Sequence, residues 1–339
     1  MNGDPEVALS TRQQVEETAR QLGYNKNTNH GARQLVSARY GRRVRTNTLA
    51  VIFATLDSSP RRIPFFTPLM EGIETAADEL DLDICICLMR NDKLPRLIET
   101  HSVDGALVLG DIPQHVDNMQ KMGIPVVTFH GHGKNVPNIT MDDRQGTYQA
   151  TQHLLELGHR NIAFLGTSYG IASAARLQGY LDAMTKANIA VPEAWIDTSL
   201  GFPSPTADSY CAGCNECAAC MGWKVLRDKN GGSRTHRPHF SAIVCHNDPV
   251  AMGVIDHAWR DGLETPNDLS VTGFDDVSGQ YHFHPEVTSI RFPREEMGAG
   301  AVRLLRDAIE AGESAKINQL IFPTTLAVHQ STAVFTAQN

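Results

Sequence analysis

The sequence predicts an α/β protein with two doubly wound parallel-sheet subdomains and a ligand cleft between them, preceded by a short helical arm. Three observations carry that expectation. From residue 48 onward, short apolar runs alternate with amphipathic stretches of helical period, the pattern of strand-helix-strand crossovers. The stretch from 48 to 166 already holds about five strand candidates, and a further set starts near 196, so two sheets fit better than one. A chain of 339 residues is also too long for a single small core.

The elements follow in order. Residues 10–22 read as one amphipathic helix, with Ser10 or Thr11 as cap and Gly23 at its end. Residues 25–47 are polar, basic and poor in apolar periodicity, a linker composition with room for a short helix at 31–35. Strands are expected at 49–54, 82–88, 105–109, 125–129, 161–165, 242–245 and 269–274, each a short apolar run. Helices are expected between them at 66–80, 114–122, 144–157, 171–187, 248–261 and 294–311. In open sheets of this kind ligands bind at the carboxyl ends of the strands.

Composition excludes several classes. With 41% hydrophobic and 20% charged residues the chain is neither wholly disordered nor fibrous. No window approaches the roughly 18 apolar residues of a membrane helix, and the opening Met-Asn-Gly-Asp-Pro-Glu lacks the order of a signal peptide, so a cytoplasmic location is expected. Seven cysteines, two of them (Cys85 and Cys87) in a strand-like run, argue against a disulfide framework. The net charge of −8 is uneven: residues 1–46 carry eight basic side chains against four acids, so the remainder stands at −12. A basic arm on an acidic body suits a protein of which only one part meets phosphate, although a solvated basic tail has the same composition.

Four stretches carry a family resemblance: Leu154-Leu-Glu-Leu-Gly-His-Arg-Asn-Ile-Ala-Phe-Leu-Gly166, Arg176-Leu-Gln-Gly-Tyr180, His246-Asn-Asp-Pro-Val-Ala-Met-Gly253 and Ser270-Val-Thr-Gly-Phe-Asp-Asp276. In order and spacing they resemble the signature blocks of the LacI/GalR family of bacterial transcription regulators. The resemblance covers roughly residues 7–335 and is weakest at 200–240 and 28–46. It implies a helix-turn-helix headpiece, a hinge helix, and a two-subdomain effector-binding core related to periplasmic sugar-binding proteins. Residues 1–46 would then be a partial DNA-binding headpiece and hinge arm. Residues 47–339 would be the core, with subdomain one at 47–166 and 294–322 and subdomain two at 167–293 and 324–339. The function implied is that of a homodimeric, effector-responsive DNA-binding regulator whose operator affinity is shifted by a sugar-like or other small polar metabolite.

Arg176 opens a helix after the loop 167–172, Asn247 and Asp248 follow the strand ending at 245, and Asp275 follows the strand ending at 274. All lie at carboxyl ends. A guanidinium fork, carboxylates and an amide can pair with vicinal hydroxyls, and Phe65 or Phe66 can stack on the apolar face of a polyol. The resemblance places ligand contacts at Arg176, Asn247 and Asp275, with Phe65 and Asp142 beside them. The competing reading makes Asp248 a helix cap and Asp276 the end of a turn. Gly31-Ala-Arg-Gln-Leu35 resembles the hinge helix, in which Leu35 would enter the minor groove beside Arg33 and Arg39. Extra residues at 36–45 separate it from the first core strand, and a disordered basic linker reads the same way. Of the headpiece only the third helix is recognisable; the recognition helix is not found.

Cys211, Cys214, Cys217 and Cys220 have spacing reminiscent of a metal site. On a helix, steps of three turn the first and fourth sulfurs to opposite sides, so no metal is expected there. The pairs His130 with His132 and His282 with His284 lack further ligands, and Gly131-His-Gly133 lacks the setting of a dinucleotide loop. No P-loop and no Gly-x-Ser-x-Gly elbow occurs, so no cofactor and no catalytic residue is expected. His159 reads as a satisfied turn residue. The alternative to a regulator is a soluble sugar-binding protein without specific DNA binding; an enzyme ranks third.

Overall fold

In the computed structural model the described residues are 9–21, 45–54, 65–89, 92–110, 112–130, 136–168, 171–199, 218–229, 238–312 and 318–336. The arm helix α1 spans Leu9–Gln21. Arg33, Leu35 and Arg39 lie outside the described residues, as do Cys211, Cys214 and Cys217, and the side chain of Cys220.

Runs that are apolar on both faces must be covered on both faces, and this fixes the first layer. Strands β1 (Thr48–Phe53), β2 (Asp83–Leu88), β3 (Gly105–Leu109), β4 (Val126–Phe129), β5 (Asn138–Met141) and β11 (Gln319–Phe322) form a parallel six-stranded sheet in the order β11-β5-β4-β3-β1-β2. Alternate residues of β1 serve opposite faces. Leu49, Val51 and Phe53 meet α2 (Phe66–Glu79) and α9 (Arg294–Ala311). Ala50 and Ile52 meet a second cluster that includes Ile98 from the single turn α3 (Arg96–Glu99) and Val116 and Met119 from α4 (Pro113–Lys121).

The second sheet, β7-β6-β8-β9, is also parallel and comprises β6 (Ile162–Leu165), β7 (Ile196–Asp197), β8 (Ala242–Cys245) and β9 (Ser270–Thr272). On one face Leu165, Ile243 and Val271 pack with Trp223 and Leu226 of α7 (Ala218–Lys229) and Val250 and Val254 of α8 (Asp248–Arg260). On the other, Ile162, Phe164 and Val244 pack with Leu154 of α5 (Asp143–Glu156) and Tyr180 and Met184 of α6 (Ile171–Lys186). An antiparallel ribbon of β10 (Ser289–Arg291) and β12 (Thr325–Ala327) lies outside both sheets.

The boundary expected at residue 166 falls near Asp142 instead. The run at 162–165 has the pattern of every other buried strand, but it pairs with β7 and β8, and α5 packs on α6, so α5 and β6 belong to the second half. The chain passes between halves three times: after β5, between β10 and α9, and between β11 and β12. Strands β5, β7, β10, β11 and β12 were not expected; they are two to four residues long, and β11 is largely exposed. Among the described residues no helix is long and apolar enough to cross a membrane.

The sequence blocks have local physical roles. A Cβ on Gly179 would stand 2.1 Å from the carbonyl oxygen of Arg144, so α5 and α6 touch backbone to backbone there. The next residue, Tyr180, is fully buried and its hydroxyl donates to the Ile162 carbonyl at 2.7 Å. His159, also buried, reaches Ser241 Oγ at 2.8 Å with Nδ1 and Ser270 Oγ at 3.0 Å with Nε2, and Nε2 donates to the Ala333 carbonyl at 3.1 Å. Where the arm enters the core, the Asp104 carboxylate accepts from the backbone of Thr46 at 2.7 Å and of Asn47 at 2.8 Å.

Candidate functional site

The carboxyl ends of β4, β8 and β9 and the first turns of α5 and α9 bring polar side chains from both halves together. Arg176, on the second turn of α6, is 6% exposed. Its Nε donates to Asp143 Oδ1 at 2.8 Å, its Nη1 donates to the His246 carbonyl at 2.6 Å, and its guanidinium lies 3.7 Å above the centroid of the Phe274 ring. A buried charge is tolerated when it is paired and hydrogen-bonded, and here the pair and the ring fix the plane of the fork.

Asp275 follows β9 with φ +102°, a conformation that L residues rarely adopt. Its N–H donates to the Ile290 carbonyl at 2.9 Å and its own carbonyl accepts from Arg294 Nη1 at 2.6 Å. The carboxylate itself has no hydrogen bond to any described residue, although Asp275 is only 8% exposed. Burial pushes its pKa up to about 6, against the pull of Arg176 and Arg294.

Phe274, Phe292 and Phe65 make an aromatic row, with centroids 5.9 Å and 6.0 Å apart in succession. The Arg294 guanidinium lies 5.6 Å from the Phe292 centroid and 6.0 Å from that of Phe65. His130, after β4, holds Nδ1 3.6 Å from Asp143 Oδ2 and 3.1 Å from Thr140 Oγ1. Burial lowers the pKa of His130 and lowers that of His246 strongly, so both imidazoles are neutral near pH 7. The buried Nδ1 of His246 has no partner among the described residues. Guanidinium forks, neutral imidazoles, an uncommitted carboxylate and an aromatic wall suit a small ligand with several hydroxyl groups.

Residues 46–199 match the model of periplasmic binding proteins and sugar binding domain of LacI family, and residues 151–332 match the model of a periplasmic binding protein-like domain. The chain is 30% identical to catabolite control protein A of Priestia megaterium, over 90% of this chain and 85% of that one. The chain belongs to the LacI family of transcription regulators. It is also 29% identical to the HTH-type transcriptional regulator CelR of Thermobifida fusca, over 98% of this chain and 92% of CelR. A match of that extent includes most of residues 1–46. Among solved structures, a transcriptional regulator CelR-cellobiose complex superposes with a TM-score of 0.72 at 25% identity, covering 97% of this chain and 93% of that one. A LacI-family regulator from Enterococcus faecium with bound ribose shares the fold, with a TM-score of 0.66 at 23% identity over 85% of this chain and 100% of that one.

Within this LacI-family core, Arg176, Asp275 and Phe65 belong to one group of side chains, linked through Phe274, Phe292 and Arg294. Asn247 stands beside them, but its Oδ1 accepts from the Val250 N–H at 3.0 Å and caps α8, which leaves Nδ2 without a described partner. The cap is thus Asn247 and not Asp248. Asp248 is fully buried and accepts from Val277 N–H at 2.6 Å, Ser278 N–H at 3.2 Å and Ser289 Oγ at 2.5 Å. A Cβ on Gly273 would come within 2.2 Å of Asp248 Oδ1, which accounts for glycine there. Asp248 therefore braces the loop that carries Asp275. Asp276 points elsewhere, to Arg291 at 2.5 Å and His329 at 2.8 Å.

Asp142 is exposed and caps α5 by accepting from the Gln145 N–H at 3.0 Å, while its neighbour Asp143 turns inward. Phe66 packs edge-on against Phe53 at 5.1 Å, inside the core. Sequence reasoning missed Asp143, His130, His246 and Arg294. The one available signal was position, since each stands at the end of a buried strand or the start of a helix.

Proposed function

We propose that this LacI-family chain binds a small polyhydroxylated metabolite between its two halves through Arg176, Asp275, Phe65 and the amide nitrogen of Asn247, which has no partner among the described residues. The bound metabolite shifts affinity for operator DNA by favouring one arrangement of the two halves over the other; it can do so only by its differential affinity for the two states. The carboxylate of Asp275 carries the reading: it is held buried and in an uncommon backbone conformation without a hydrogen-bond partner among the described residues. Such a group gains most from a ligand hydroxyl.

Cellobiose in the CelR complex and ribose in the Enterococcus faecium regulator support the sugar class. DNA is met by the basic arm, with Arg33 and Arg39 on phosphates or groove edges and Leu35 as the minor-groove wedge. The protein works in the cytoplasm as a homodimer and releases its ligand unchanged. A thermal-shift panel of sugars, polyols and nucleobases, followed by mobility shifts on the protein's own promoter region, tests this. A panel compound that stabilises the protein should also change the midpoint of the DNA titration. Stabilisation with no change in DNA affinity contradicts the coupling.

A further inference from the structure

Beside Asp275 stands a second guanidinium, that of Arg294, which hydroxyl recognition by Arg176 and Asp275 does not explain. Arg294 is the first residue of α9, and its pKa is lowered chiefly by burial. A cation at that end of a helix is opposed by the helix dipole. The N-cap residue, Pro293, makes no side-chain cap hydrogen bond. Among the described residues the guanidinium is held by one hydrogen bond, Nη1 to the Asp275 carbonyl at 2.6 Å, and by the rings of Phe292 and Phe65. Among the described residues no carboxylate pairs with it. Asp143 is taken by Arg176, Asp276 by Arg291 and His329, and Asp248 by two backbone N–H groups and Ser289. Asp275 stands beside it but the two side chains share no hydrogen bond.

We propose that Arg294 is the seat of a carboxylate, so that the effector is a sugar acid, a polyol bearing one carboxylate group, and not a neutral sugar. This rests on the reading that the cleft binds a polyhydroxylated ligand. The open edge of a guanidinium matches a carboxylate with two parallel bonds, whereas the helix end adds little, because Glu295 and Glu296 stand in the same first turn. A single negative charge suits the site better than a phosphate dianion, because the carboxylates of Asp275 and Asp276 already act on Arg294. The raised pKa of Asp275, about 6, allows that carboxyl to take up a proton and donate to the incoming carboxylate or to a hydroxyl. The other charged groups acting on Arg294 are Asp276, Asp248 and Arg291, and Arg176 acts on Asp275 beside it.

Calorimetric titrations at pH 7 with matched probes test it: glucose against glucuronate, galactose against galacturonate, glucitol against gluconate, with glucose 6-phosphate as the dianion. At least one acid should bind about tenfold to a hundredfold more tightly than its neutral partner and than the phosphate. Arg294→Gln should erase that preference, and Arg294→Lys, which keeps the charge and loses the fork, should retain part of it; melting curves check that both variants fold. A neutral sugar that binds as well as its acid, or a preference untouched by Arg294→Gln, overturns the carboxylate seat and leaves the polyol reading standing. Failure of every sugar, acid and polyol to bind the parent overturns both.

Discussion

Arg294 Nη1 donates to the carbonyl oxygen of Asp275 across 2.6 Å, which joins the first residue of α9, in the six-stranded half, to the loop after β9, in the four-stranded half. The contact sits where the chain passes from β10 to α9. Both side chains therefore stand at the junction between halves.

Asp275 makes stability depend on pH. Below about pH 4 its carboxyl is protonated in folded and unfolded chains alike and costs nothing. As pH rises toward 6 the unfolded chain releases the proton while the folded one keeps it, so stability falls, by about 3 kcal/mol once both are ionised at pH 7. Asp275→Asn removes that slope. Urea denaturation at pH 4, 5.5 and 7 should show the variant gaining on the parent as pH rises; parallel curves would refute the assignment.

Arg176→Ala should do more than abolish ligand binding. It leaves Asp143 buried without its 2.8 Å partner and uncovers the Phe274 ring. The expected loss is about 3 to 5 kcal/mol, the usual consequence of breaking a buried pair from one side. A melting temperature equal to the parent's would show that Arg176 serves only the ligand.

Gly179→Ala should separate α5 from α6, because the added methyl meets the Arg144 carbonyl at 2.1 Å. Overpacking of this kind costs about 1 to 3 kcal/mol. Because Asp143 and Arg176 sit on those two helices, ligand affinity should fall along with stability, although Gly179 touches no ligand. Unchanged affinity would mean that the pair survives the displacement.

Asp104→Ala should loosen the attachment of the arm. Its carboxylate accepts from Thr46 and Asn47 at the entry to β1, and its loss strands buried donors at a cost of about 1 to 3 kcal/mol. Effector affinity should stay near the parent value while the effect of effector on DNA binding shrinks. An intact DNA response would place the coupling elsewhere.

Much of this was legible in the sequence because buried parallel strands are apolar on both faces and cannot be mistaken for surface. Strand β1, helix α9 and the positions of Arg176 and Asp275 follow from that pattern and the family blocks. The division between halves was not legible, since Ile162–Leu165 is as apolar as any strand of the first sheet and only its pairing with Ala242–Cys245 assigns it. Asp142 and Asp143 show the same limit at a single site. Two adjacent carboxylates look equivalent in sequence, yet the turn of α5 exposes one as a cap and buries the other against Arg176. Arg294 was hidden because an arginine at a helix start reads as a solvated charge until the aromatic row beside it is known.

The most direct test of the central claim, that the ligand is held by side chains converging from both halves, is a titration of the parent and Asp275→Ala with the panel sugar or sugar acid that gives the largest thermal shift. The substitution removes only the carboxylate, and the backbone bonds of residue 275 to Ile290 and Arg294 remain in the variant. Affinity should fall at least about tenfold, as expected for the loss of one charge-assisted hydrogen bond, with the fold preserved and the effect on promoter binding lost. Equal affinity in parent and variant would place the ligand outside this cleft.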